Sequence, residues 1–254
     1  QVRTIYVNFA NGTEQNRFTI ENADDLVNMN LSAHYKISTN IDVSNVSDKF
    51  PLGNLKGSII GTNEYAEISG INIFNKKTMS NGSDSTNDYY GLFTTIDSEA
   101  YIEYVTFSGE FNIGEADNEG SYAQASSYIG MVAGVNNGNL INIGVEIDKS
   151  TVNLRSGAFG GVVGVNNGTI LQDYTLFEDD SSNTRTYTKD QLNNVDGTSG
   201  VVGAGRISYA NLTPKILSYM NGQIAVNYIV NQDADDGTSI GGVAGVNAGN
   251  IRKI

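Results

Sequence analysis

The stretch Gly160–Ile170 reads "GGVVGVNNGTI", and the fold turns on how its Asn-Asn-Gly is interpreted. Between two apolar runs, such a tripeptide ordinarily marks a hairpin, because Asn and Gly accept turn backbone that other residues resist. The same word returns as "GMVAGVNNGNL" at Gly130–Leu140 and as "GGVAGVNAGNI" at Gly241–Ile251. Near-copies at this period point to a stacked repeat, in which each unit buries its apolar face on the next. Aligned on the central position, Thr94 of "YGLFT", Gly134, Gly164, Gly203 of "SGVVG" and Gly245 fall in register, every thirty to forty-odd residues. A second apolar segment follows each word. One of these, Tyr101-Ile102-Glu103-Tyr104-Val105-Thr106-Phe107, alternates with period two and reads as a single half-buried strand. A constant coil with variable insertions explains this better than a series of hairpins. The expected fold is therefore all-β, a parallel β-helix or solenoid.

That architecture accounts for the composition of the word. Coils stack at about 4.8 Å, so Val132, Val162, Val201 and Val243 should form an inward ladder. Gly134, Gly138, Gly164, Gly168, Gly245 and Gly249 should sit at corners, allowing close backbone approach and positive φ. Asn136, Asn166 and Asn247 share one corner of three coils. Asn tolerates the left-handed region, and stacked amides can hydrogen-bond along the axis.

The chain has 254 residues and a formal net charge of −13, with no Cys, no Trp and one His. Acidity argues against nucleic acid and anionic membrane surfaces as partners. The absence of Cys rules out disulfides and thiolate metal sites. No apolar run is long enough to span a membrane, so no membrane insertion is expected. The start at Gln1 and the truncated last segment "NIRKI" suggest a piece of a longer protein.

Residues 1–50 differ from the rest and read as a capping segment, with a short N-terminal helix. Asn22 or Asp24 should cap this helix, which would run to Leu31 with Leu26 and Met29 on one face, before a strand in "HYKISTNIDVS". Such a cap keeps the end of the core from water. Residues 51–254 form the coils. The polar stretches 75–89, 114–127, 178–199 and 231–239 read as surface loops on them.

The words "GMVAGVNNGNLINI", "GGVVGVNNGTIL" and "GGVAGVNAGNI" resemble the GLUG motif of Gram-positive bacterial surface proteins. The upstream segments "ADDLVNM", "HYKISTNIDVS", "FPLGNLKGSIIGTNEYAEISGINI" and "YYGLFTTIDSEAYIEYVTF" are similar to the region preceding such repeats. It occurs in adhesin-like proteins and in the non-catalytic part of immunoglobulin-A1-cleaving zinc peptidases. The resemblance covers nearly the whole chain. It implies a right-handed β-helix on an extracellular protein at the bacterial cell surface. The long acidic loops and the degenerate copy "GAGRISYANLT" depart from the common pattern.

Catalytic chemistry finds little support. A zinc peptidase motif needs two histidines, and only His34 is present. A Ser-His-Asp triad would have to use the same residue, whose ordinary reading is structural. Asp42 with Asp48, or Glu103 with Glu110, could supply paired carboxylates for polysaccharide cleavage, although no spacing singles them out. Arg155 and Arg206 have no recognisable partners for lyase chemistry. Asp233, Asp235 and Asp236 in "DADDG" are a calcium candidate, lacking the downstream Glu of an EF-hand. No other cofactor is implied. Tyr89, Tyr90, Tyr122 and Tyr128 near loop edges are candidate ligand contacts, against ordinary strand packing.

The sequence thus points to a non-enzymatic module for adhesion or ligand display, in which the loops after residues 75, 114 and 178 meet a host protein, glycan or neighbouring subunit. The alternatives are a structural spacer that self-associates end to end, and an accessory substrate-positioning region of a secreted peptidase or polysaccharide-degrading enzyme.

Overall fold

A computed structural model describes residues 10–62, 66–74, 89–113, 127–154, 157–171, 175–177, 184–186, 224–232 and 238–252. Nearly all the described strands belong to four parallel sheets of four, five, seven and five strands. Numbered in the order the chain visits them, sheet 1 contains Tyr89–Tyr90, Ser127–Ile129, Gly157–Gly160 and Thr238–Gly241. Sheet 2 stacks Asn54–Leu55, Phe93–Ile96, Ala133–Asn136, Val163–Asn166 and Ala244–Asn247. Sheet 3 runs from Phe18–Thr19 through His34–Ile37, Ser58–Gly61, Tyr101–Glu103, Asn139–Ile141 and Thr169–Leu171 to Asn250–Arg252. Sheet 4 contains Asn40–Asp42, Glu67–Phe74, Thr106–Ile113, Gly144–Leu154 and Ile224–Gln232. Each circuit visits the sheets in the same order, and each strand pairs in parallel with its counterparts in the circuits before and after. The Asn-Asn-Gly words therefore lie between strands of different sheets, not at hairpin turns.

Period-two alternation sends one set of side chains inward. In sheet 3 the inward rungs are Tyr35, Ile59, Ile102, Leu140, Ile170 and Ile251. The first five are buried and Ile251 packs against them from the edge. Ile41, Ile68, Phe107 and Val145 form the equivalent column of sheet 4. The expected valine ladder is present where described: Val132 and Val162 are fully buried, and Val243 packs partly buried above them. In sheet 2 one column reads Leu55, Ile96, Asn136, Asn166, Asn247, so two aliphatic rungs give way to three amides.

Three expectations need correction. The Gly134, Gly164 and Gly245 words are in register with Thr94, but Val163–Asn166 pairs directly with Ala244–Asn247. No layer lies between them for the Gly203 word, and Asn166 bonds to Asn247 across 81 residues of sequence. Residues 172–223 intervene at the corner between sheets 3 and 4 of one circuit. There the two preceding circuits need only Tyr104–Val105 and Asn142–Ile143. Val201 lies outside the described residues. The copy also lacks the amide, with Gly205 standing where the ladder has Asn.

The second correction concerns the corners. Among the described residues, none of the expected corner residues Gly134, Asn136, Gly138, Gly164, Asn166, Gly168, Gly245, Asn247 and Gly249 has positive φ. Their glycines answer to close approach instead: a Cβ on Gly168 would lie 2.0 Å from the Gly138 carbonyl oxygen. The left-handed non-glycine residues are Tyr104 (φ 56°) and Asn142 (φ 51°), which occupy the same corner of successive circuits. Third, Tyr104 splits the expected single strand into Tyr101–Glu103 and Thr106–Ile113.

The N-terminal helix is shorter than expected, Ala23–Val27, with Asn22 as N-cap accepting from the Asp25 N–H at 3.0 Å. Leu26 is buried in the core alongside Ile20. "HYKISTNIDVS" supplies one strand to sheet 3 and one to sheet 4, so residues 34–42 already belong to the stack and Phe18–Thr19 covers its edge in sheet 3. At the other end, Ile240 and Val246 are 41% and 39% exposed. Among the described residues no helix is long and apolar enough to cross a membrane.

Candidate functional site

Two features of the surface merit description as candidate sites. The first is the corner where sheet 4 hands the chain to sheet 1. Phe74 and Tyr89 bound residues 75–88, Ile113 and Ser127 bound 114–126, and Gln232 and Thr238 bound 233–237. Three of the polar stretches thus connect sheet 4 to sheet 1, each in a different circuit. Between Leu154 and Gly157 the same corner is crossed by two residues.

Tyr89 and Tyr128 stand on adjacent outward rungs at this corner, half-buried, with ring centroids 5.6 Å apart and planes tilted by 47°. Their spacing is that of a favourable aromatic pair. Tyr90 faces the other way, in the core, so it is packing and not a contact residue. Tyr122, Asp233, Asp235 and Asp236 lie outside the described residues. Among the described residues no cluster of His, Asp or Glu could hold a metal ion.

The second feature is a polar cluster on the outward face of sheet 3. His34, Ser58 and Tyr101 occupy one rung of three consecutive strands. The preceding turn brings Arg17 across them, with its side chain only 10% exposed. Arg17 Nη1 donates to Ser58 Oγ at 2.5 Å and Nη2 donates to the Tyr101 hydroxyl. The guanidinium also lies 5.6 Å from the Tyr101 ring centroid, a cation–π distance. Tyr101 donates onward to Glu14 Oε1 at 2.5 Å, and Ser58 Oγ shares a 2.8 Å hydrogen bond with His34 Nδ1.

The charges follow from this geometry. The Tyr101 hydroxyl holds the Glu14 carboxyl below its ordinary value; slight desolvation opposes this, and the charges of Arg17 and His34 add to it. Burial pushes Glu103, on the same strand as Tyr101, upward; Arg17 opposes the rise and Glu14 reinforces it. Ser58 is fully buried and its Oγ already serves Arg17 and His34. The His–Ser contact thus ties the first two strands of this rung together.

The carboxylate pairs do not assemble. Glu103 lies on sheet 3 and Glu110 on sheet 4, beyond the Tyr104 corner, where Glu110 accepts from Asn112 Nδ2 at 2.9 Å. The Ser44 backbone N–H, 2.9 Å away, lowers the Asp42 carboxyl, with the Ser44 hydroxyl adding to the shift. Asp48 pairs with Lys49 at 3.2 Å. Asp42, Asp48 and Glu110 each have their own local partner.

The amide column is as the sequence implied. Asn136 Nδ2 donates to Asn166 Oδ1 and Asn166 Nδ2 donates to Asn247 Oδ1, each at 2.7 Å, while Asn136 Oδ1 accepts the Gly138 N–H at 3.1 Å. Asn136 and Asn166 are fully buried and Asn247 is exposed. Arg17, Glu14 and Tyr101 were not legible as a group. The only sequence signal is that Arg17 immediately precedes the first apolar segment, "FTI".

No protein-family profile matches the chain, and no curated protein or solved structure matches it at a significant level.

Proposed function

We propose that this chain is a right-handed β-helix serving as a non-enzymatic, extracellular module of a bacterial cell-surface protein. A rigid stack holds variable polar segments out to meet a host protein, a glycan or a neighbouring subunit. The carrying observation is the shared corner: residues 75–88, 114–126 and 233–237 all depart between sheet 4 and sheet 1. Parallel stacking separates successive rungs by about 4.8 Å, so the strands that follow 75–88 and 114–126 lie on adjacent rungs and the strand that follows 233–237 lies two rungs further on. The half-buried Tyr89–Tyr128 pair at their base adds an aromatic surface of the kind used in protein and sugar contacts. Right-handedness follows the strong preference of parallel crossover connections, about 98%. The repeat words and their resemblance to GLUG repeats support the extracellular setting. The net charge of −13 favours neutral or basic partners over anionic ones.

The test replaces residues 75–88 and 114–126 with two-residue links like 155–156. Wild type and variant are then compared on immobilised host matrix proteins and glycans. The display reading requires that binding be lost while the circular dichroism of the stack is kept. Binding that survives both replacements would remove these segments from the function.

A further inference from the structure

We propose that residues 11–20 are an acid-releasable strap over the first edge of the stack, held shut by Arg17 and Glu14. The strap forms few ladder contacts of its own, since Phe18–Thr19 is a two-residue strand. Its backbone covers the outer edge of His34–Ile37: the His34 N–H donates to the Gly12 carbonyl at 2.9 Å, and the Ile20 N–H donates to the Lys36 carbonyl at 3.0 Å. Thr13 and Asn16 close the turn between these two points. Side chains fasten it from outside, with Arg17 reaching Ser58 and Tyr101 and Tyr101 reaching Glu14. These partners come from the second and third circuits, so the strap is tied across three strands of sheet 3 and not only to the one it borders.

The charged and titratable groups on this face are Glu14 and Arg17 from the strap, His34 and Lys36 from the strand it covers, and Tyr101 and Glu103 from the third circuit. The bordering strand of the second circuit, Ser58–Gly61, contributes none. Glu14 and Glu103 are the negative charges beside Arg17. Acid neutralises both, but their environments shift them in opposite directions. Glu103 is raised by burial, so it is neutralised first, and its protonation removes a burial penalty. Glu14 is lowered, so its contribution is present above the ordinary value of 4.5 and disappears only as pH falls through its own depressed value. Once Glu14 is neutral as well, Arg17 has no anion beside it, and the Tyr101–Glu14 hydrogen bond loses its charge assistance. Release would bare the His34 N–H and the Lys36 carbonyl, leaving an unpaired strand edge of the kind that accepts an added strand.

The experiment is amide exchange on the whole chain between pH 7 and pH 3.5, corrected for the intrinsic pH dependence of exchange. The amides of Ile20 and His34 report the strap, while those of Val135 and Ile170 report the body of the stack. Wild type should keep strap protection through the ordinary carboxylate value of 4.5 and exchange faster only below it, approaching roughly tenfold as Glu14 is neutralised, as expected for loss of one charge-assisted bond. Protection at Val135 and Ile170 should stay constant. Glu14→Gln should show the fast strap exchange already at pH 7 and lose the pH dependence, and Tyr101→Phe should do the same. If the Ile20 and His34 amides of Glu14→Gln stay protected at pH 7 and open at the wild-type pH, the proposal fails. It fails equally if strap and body open together.

Discussion

Asn166→Ala is the substitution whose cost the structure specifies most fully. Asn166 is fully buried and takes part in two 2.7 Å side-chain hydrogen bonds, accepting from Asn136 and donating to Asn247. Truncation removes both, at about 1 kcal/mol each. It also strands the buried Asn136 amide, whose remaining acceptor among the described residues is the Thr169 carbonyl at 3.5 Å. A buried donor left without a good partner costs about 1–3 kcal/mol. The expected loss is about 3–5 kcal/mol in all. Asn247→Ala is the control. Its side chain is exposed, and Asn166 Nδ2 keeps fallback contacts to the Gly168 and Asn250 carbonyls at 3.4 and 3.5 Å. About 1 kcal/mol is expected there. Asn166→Asp preserves size but presents an acceptor to the Asn247 oxygen and buries a charge, so it should cost at least as much as alanine. Urea unfolding gives the midpoint, and constancy of the m-value checks that the unfolding unit is unchanged. Exchange at Val135 and Val165 locates the opening, because stacked repeats can unfold in part. If Asn166→Ala costs no more than Asn247→Ala, the amide column is ornament and the reasoning is wrong.

Two further outcomes follow from the stacking. Gly168→Ala should destabilise by about 3 kcal/mol or more, because its Cβ would lie 2.0 Å from a backbone oxygen that cannot move without its circuit. Gly242→Ala, where nothing lies within 4 Å, should stay within about 0.5 kcal/mol of wild type on the same urea assay. Replacing residues 172–222 by Asn-Ile, the corner used at Asn142–Ile143, should leave the parallel stack intact by circular dichroism, with Val165 still protected in exchange. Collapse of the spectrum would mean that the inserted residues are needed to seat the last circuits.

The repeat words made the sheet chemistry readable. Val132, Val162 and Val243 recur because each circuit presents the same inward position. Asn136, Asn166 and Asn247 recur because a buried amide is best satisfied by the amide of the next rung. The glycines were legible as constrained by close approach or by positive φ, and only close approach applies. The word alone does not separate positive φ from close backbone approach, and the second depends on where the neighbouring circuit lies. The Tyr104 corner was invisible for a related reason. Apolar alternation from Tyr101 to Phe107 continues across it, and only the turn from sheet 3 to sheet 4 shows that two strands share the pattern.

By itself the sequence determined that the chain is β, that its strands recur in a coil-length period, and which side chains line the interior, since these rest on local alternation and on composition repeated in register. Only the tertiary structure decided which copies stack. The Gly203 word resembles its neighbours, yet Val163–Asn166 lies directly against Ala244–Asn247. Pairing between circuits is made by backbone groups far apart in sequence, and a short word cannot carry that choice. The Arg17 cluster is the same lesson in side chains: its hydrogen bond to Tyr101 spans 84 residues of sequence. Those partners become neighbours only because the second and third circuits stack in register beneath the strap.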